Sequence, residues 1–125
     1  MLGLHKSWHG LHWLISQDPW EEGPLPLKNA IFGEAEIGED LTGYGPPKLN
    51  SPERVQEIER ALAALSATDL IGRFNGKRMD ELEIYPGNFG EDSSWRGDLR
   101  RDYSLLREFY KRAAQSGDGV VTWIA

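Results

Sequence analysis

Three histidines open the chain at positions 5, 9 and 12. On one helix, steps of four and three bring their rings to a shared face, and imidazole nitrogens arrayed that way can ligate zinc. A zinc-hydrolase pattern would also place an acid between two of the histidines, where the carboxylate acts as base. Here Ser7, Trp8, Gly10 and Leu11 intervene, and no acidic residue lies on the segment. The expectation is therefore no bound metal and no cofactor, with the imidazoles serving as polar residues beside a tryptophan stripe.

Carboxylates offer a second chemistry. Glu39, Asp40 and Tyr44 share the stretch GEDLTGYGPP, with Glu36 just before it. Its glycines would let backbone amides approach a ligand, yet it lacks GK[ST] and GxGxxG. Paired acids do general acid–base work only where the fold fixes their separation. The same residues also read as ordinary turn formers. Glu83 and Tyr85 precede Pro86 and, in an extended segment, would point to one side with Ile84 to the other. No Ser–His–acid order, GxSxG or activated lysine stands out. Absence of cysteine excludes thiolate catalysis, thiolate metal sites and disulfides.

Tryptophan is abundant, with five in 125 residues. Trp8, Trp13 and Trp123 keep apolar company and are expected in the core. Trp20 and Trp95 sit in polar loops, and exposed tryptophans commonly anchor protein contacts. The candidate site residues are thus His12, Glu39, Asp40, Tyr44, Glu83 and Tyr85 around one cleft, with Trp20 and Trp95 as interface anchors.

The elements that must position these residues follow from periodicity. Residues 51 to 65, SPERVQEIERALAAL, start with an N-cap serine and a proline at the first helical position. Val55, Ile58, Leu62 and Leu65 then form one apolar stripe. Residues 4 to 16 and 99 to 115 read as two further helices, with shorter ones at 27–32, 66–74 and 77–82. Gly10 weakens the first of these. Three prolines and a glycine mark 17–26 as a loop, and three glycines and two prolines do so for 38–47. Residues 34–37, 84–85 and 120–124 read as extended; the last, VVTWI, is apolar on both faces and expected to be buried.

A formal net charge of −6, from 20 acidic and 14 basic residues, argues against a phosphate-binding face. It suits solubility or a basic protein partner. No stretch is apolar for long enough to span a bilayer, and no signal-peptide pattern opens the chain, so a cytoplasmic location is expected. The length suits one domain, residues 1–125.

Several motifs taken in order carry a resemblance. They are Lys6-x-Trp8-x-x-Leu11-His12, Pro26-Leu27, Ala30-Ile31-x-Gly33-Glu34, Ile37-Gly38-Glu39-Asp40, Gly43-Tyr44-Gly45-Pro46, Glu83-Ile84-Tyr85-Pro86 and the segment from Phe109 to Ala114. This series resembles the YfbM-like family of bacterial domains of unknown function. The resemblance implies an α/β fold, a compact three-layer arrangement of helices on a small mixed sheet, and it implies no activity. It also implies an extra strand and helical segment ahead of Lys6, which this chain lacks, and of the histidines only His12 falls on the family pattern. An edge left open in that way is expected to pair with a second copy as a homodimer. The functional expectation is a protein-binding module of interaction or immunity type. The alternative is a small-molecule binder or hydrolase-like enzyme built on the acidic, tyrosine and histidine residues of the cleft.

Overall fold

The computed structural model describes residues 1–43 and 45–124. A 3-10 turn, His5–Ser7, leads into α1, Trp8–Ser16. Then come α2 (Asn29–Phe32), β1 (Ala35–Glu36), β2 (Lys48–Asn50), α3 (Pro52–Ala63), α4 (Ala67–Gly72), α5 (Gly76–Glu81), α6 (Trp95–Gln115) and β3 (Val120–Thr122).

The central pair is α3 and α6. Ser51 caps α3 by accepting the Arg54 amide at 3.1 Å, and Pro52 occupies the first turn. Val55, Ile58 and Leu62 are buried on its inner stripe. Leu99, Tyr103, Leu106 and Tyr110 supply the matching stripe of α6. Each tyrosine hydroxyl in this seam has a carbonyl to donate to: Tyr103 reaches Leu65 at 2.5 Å, and Tyr110 reaches Ala30. The polar atoms therefore enter the core without losing their partners. Ser66 and Asn75 cap α4 and α5 through Asp69 and Arg78 amides.

The sheet is small and wholly antiparallel among the described residues, in the order β1-β2-β3, where a mixed sheet was expected. Ala35 faces Leu49, and Leu49 faces Val121 across the other ladder. A loop returns the chain from β1 to β2, which suits an antiparallel pair, whereas β3 joins β2 only after α3 to α6. Gly33 turns the chain into β1 at φ 75°, ψ 169°, a region that only glycine occupies freely. A Cβ there would lie 2.5 Å from Lys48 Cβ and 2.6 Å from Thr122 Oγ1. Asn50, fully buried in the central strand, donates to Asn29 O at 2.8 Å and to the Tyr110 hydroxyl at 3.2 Å, which ties sheet to helices.

Four expectations need correction. The segment 84–85 is not a strand: Glu83 has φ 58°, in the left-handed region, so the alternation that would align Glu83 with Tyr85 is lost. Strand β3 is fully buried only at Val120; Thr122, on the same face, is half-buried and Val121, on the other, is exposed, because the sheet is covered by helices on one side. Trp123 lies beyond it, 51% exposed, not in the core. Helix α6 begins at Trp95, four residues ahead of the expected start at Leu99.

Candidate functional site

Helix α1 is almost wholly buried, and its two inward histidines organise what surrounds it. Gly10 is the reason it can sit so deep. A Cβ at that position would already be 3.3 Å from Leu99 and 3.4 Å from Phe89, so the glycine lets α1 approach α6 closely. Arg73 caps the far end of α1, donating to the carbonyls of Leu14 (2.7 Å) and Ile15 (3.2 Å).

His9 bridges two loops. Its Nδ1 accepts the backbone N–H of Tyr85 at 2.9 Å. That bond fixes the tautomer, so Nε2 carries the proton and donates to Pro19 O at 2.8 Å. His12, one turn on, donates from Nε2 to the carbonyl of Trp20. Ser16 closes the arrangement by donating to His12 O at 2.8 Å. The loop itself is tied by Asp18, whose Oδ2 accepts the amides of Trp20 (2.9 Å) and Glu22 (3.1 Å). Glu21 pairs with Lys48 of β2, and its carbonyl accepts Lys28 Nζ at 3.1 Å.

The result is a ledge of aromatic rings over two imidazoles. Trp8 stacks on His9 at 4.8 Å between centroids and on Tyr85 at 5.9 Å. Trp20 lies 4.6 Å from His9 and 6.3 Å from Phe32, and Phe32 lies 4.2 Å from His12. Trp20 and Tyr85 remain 56% and 46% exposed, although both imidazoles beneath are buried. Offset rings at such distances add to the stabilisation from burial alone.

Burial disfavours the charged imidazolium in both histidines. It lowers the pKa of His9, partly offset by the Pro19 carbonyl. In His12 burial is again the largest effect and carries the pKa to about 4; the Trp20 carbonyl, Asp18 and Glu21 oppose the fall, and His9 adds to it. Both rings are therefore neutral near pH 7. Neither offers a lone pair to solvent, because His9 Nδ1 is bonded to Tyr85 and His12 Nδ1 is buried without a partner. The arrangement fixes backbone positions and presents rings; it does not present a base.

The sequence candidates divide accordingly. His12, Trp20 and Tyr85 come together at the ledge. Trp95 does not: it packs 4.7 Å from Phe89 in a separate aromatic group where Arg96 lies over Phe74. Glu83 is exposed and joins the ledge only through the chain to Tyr85. Asp40 spends Oδ1 on the amides of Thr42 (3.1 Å) and Gly43 (2.8 Å), a turn-forming use, and Glu39 is exposed beside it. Tyr44 lies outside the described residues. The expected single cleft of acids, tyrosines and histidine is therefore not assembled among the described residues. His5 is exposed and apart from the buried pair, so the three histidines do not share one face. Sequence reasoning missed His9, Trp8 and Phe32 as members of the ledge. Their one signal was the interleaving of histidine with tryptophan on a short apolar helix.

A family profile described as "Domain of unknown function (DUF1877)" matches residues 3–123. The chain belongs to this family. It is 29% identical over 130 residues to Protein YfbM of Escherichia coli (strain K12), in an alignment covering 98% of this chain and 75% of that protein. The solved structure titled "The Crystal Structure of a Protein of Unknown Function YfbM from Escherichia coli" is similar with a TM-score of 0.71 and 25% identity. That match covers 93% of this chain and 74% of the other. The family fold is thus an α/β domain of helices packed with a small sheet. No helix of the described residues is long and apolar enough to cross a membrane.

Proposed function

We propose that this DUF1877 domain is a protein-binding module whose contact face is the Trp8–Trp20–Tyr85 ledge. One observation carries the reading: the loops that carry two exposed aromatic side chains, Trp20 and Tyr85, are tied to the same buried imidazole, His9, through the Pro19 carbonyl and the Tyr85 amide. Exposed rings with fixed backbones lose little conformational freedom on binding, which is why such residues dominate interface energetics. The partner class follows from charge. The chain carries −6, and Glu21, Glu22 and Glu83 flank Trp20 and Tyr85 in sequence. A protein segment bearing arginine or lysine would set its cation on the ring faces and its backbone along the rim.

Support for a binding role over catalysis comes from the state of the histidines. Both are neutral donors to loop carbonyls, and their remaining nitrogens are occupied or sealed from solvent. A general base needs a lone pair within reach of a substrate proton.

The test is selection from a displayed random-peptide library on the immobilised folded chain, with the Trp20→Ala/Tyr85→Ala variant as counter-target. Enrichment of basic peptides that bind the parent and not the variant is the expected result. Peptides that bind both chains alike, or no enrichment, would overturn the reading.

A further inference from the structure

Residues 85 to 88 form a surface flap between two buried pins. Ile84, 1% exposed, donates its amide to Met79 O at 3.0 Å, and Phe89, 2% exposed, donates its amide to Asp80 Oδ1 at 2.9 Å. Between them Tyr85, Pro86 and Asn88 are exposed and Gly87 is half-buried. Among the described residues a single hydrogen bond, from the Tyr85 amide to His9 Nδ1, ties this stretch to another element. The Tyr85 ring adds a stacking contact with Trp8 on the same helix, α1. The flap can therefore leave α1 without disturbing either pin.

The tie depends on one lone pair. A neutral imidazole has one donor and one acceptor nitrogen, whereas an imidazolium has two donors and no acceptor. With Nε2–H committed to Pro19 O, a proton can enter His9 only at Nδ1, where it would face the Tyr85 N–H. Neither ring nitrogen of His9 bonds a carboxylate among the described residues, so nothing there holds the charge. On α1 the other buried titratable group is His12, and the two rings repel when charged. On the Trp20 loop, Asp18 spends Oδ2 on the Trp20 and Glu22 amides, and Glu21 pairs with Lys48. Behind α1, Asp102 of α6 is held by Ser7 and Arg101. Beside the flap, Glu83 is exposed. An outward swing of the flap removes the clash of donors and lets water accept from Nδ1–H.

We infer that His9 is a proton-operated latch: a proton taken up at Nδ1 breaks its bond to the Tyr85 amide and frees residues 85–88 from α1, while Ile84 and Phe89 stay in place. Burial holds the pKa of the closed ring below its ordinary 6.5, so the flap is closed at neutral pH and opens in acid. The open form binds the proton more tightly, and its population rises by up to about tenfold for each pH unit below the open-state pKa. On the reading that the ledge is a contact face, acid withdraws one of its two exposed rings. The latch itself needs no partner and is tested without one.

The experiment follows the nitrogen-15-labelled whole chain by NMR as the pH is lowered from neutrality until the core opens. Ring nitrogen shifts report the protonation of His9. Amide exchange, corrected for the intrinsic rate, compares Tyr85 with its neighbour Ile84 and with Ile58 of α3. The expected result is a fall of about tenfold or more in Tyr85 protection that tracks His9 protonation, while Ile84 and Ile58 stay within about twofold. His9→Asn offers a carboxamide oxygen near the acceptor position, and because that oxygen does not titrate, Tyr85 protection should lose its pH dependence. The proposal is overturned if Tyr85 protection holds as His9 titrates, if it falls in step with Ile58, or if the ring stays neutral until the core opens. A His9→Asn variant that keeps the parent's pH dependence would also overturn it, and should that variant not fold, the parent titration decides alone. A working latch in a chain that selects no peptide would remove the proposed contact face and leave this inference standing.

Discussion

The backbone amide of Tyr85 donates to Nδ1 of His9 at 2.9 Å, joining residues 76 positions apart in sequence. Because the other ring nitrogen holds Pro19 O, one side chain sets the separation of the loops that carry Trp20 and Tyr85. Removing it leaves the Tyr85 amide and the Pro19 carbonyl without this partner and empties the space of a side chain only 1% exposed. His9→Ala should therefore cost about 2–4 kcal/mol. His5→Ala, on an exposed ring, should change stability by less than about 0.5 kcal/mol. Urea unfolding of both variants against the parent checks the contrast.

Acid should weaken the fold through the same helix. Above pH 6.5 His12 is neutral folded and unfolded, and its full contribution is present. As pH falls from 6.5 through about 4, the unfolded chain takes up a proton that the folded chain refuses, so stability is lost across that window. At about 1.4 kcal/mol per unit, the loss from His12 is about 3 kcal/mol, and His9 acts in the same direction. Stability measured from pH 7 to 4 gives the slope, and His12→Gln should flatten it.

Gly33 and Gly38 separate crowding from backbone strain. Both have positive φ, but a Cβ at Gly38 meets nothing within 4 Å, whereas at Gly33 it overlaps Lys48 and Thr122. Gly38→Ala should cost about 1–2 kcal/mol from backbone conformation alone. Gly33→Ala should cost about 3 kcal/mol or more, since β1, β2 and the end of β3 would have to part. Thermal melts of the two variants distinguish the cases.

Leu62, 1% exposed between α3 and α6, gives the scale for the core. Leu62→Ala should cost about 2–5 kcal/mol, while Arg60→Ala, exposed on the same helix, should cost under about 0.5 kcal/mol. Matching denaturant midpoints for the two would mean that the helix faces are misassigned.

The helices were legible in the sequence where a cap and a stripe agreed. Ser51, Pro52 and the Val55–Ile58–Leu62 stripe specify α3 locally; only its end differs, since the helix stops at Ala63 and Leu65, though buried, lies beyond it. Strand β2 was invisible because Lys48, Leu49 and Asn50 hold a single apolar residue and follow two prolines; its pairing comes from β1 and β3, far away in sequence. The start of α6 at Trp95 was hidden for a similar reason. WRGD has no helical stripe of its own, and the turn is held by Trp95 against Phe89. Glu83 misled because Pro86 makes Ile84-Tyr85 read as extended and alternation then aligns Glu83 with Tyr85, while Glu83 itself turns in the left-handed region just after α5. Of the candidate site, His12, Trp20 and Tyr85 were visible one by one. Their meeting point was not, because His9 makes it through two backbone groups that no side-chain pattern encodes.

The most direct measurement is the affinity of a display-selected basic peptide for the parent chain and for single variants by titration calorimetry. The account predicts that Trp20→Ala and Tyr85→Ala each weaken binding about tenfold or more, equivalent to about 1.4 kcal/mol. Trp95→Ala, in the other aromatic group, should leave the affinity within about twofold. A peptide that binds Trp20→Ala as tightly as the parent, or that is lost with Trp95→Ala instead, would contradict it.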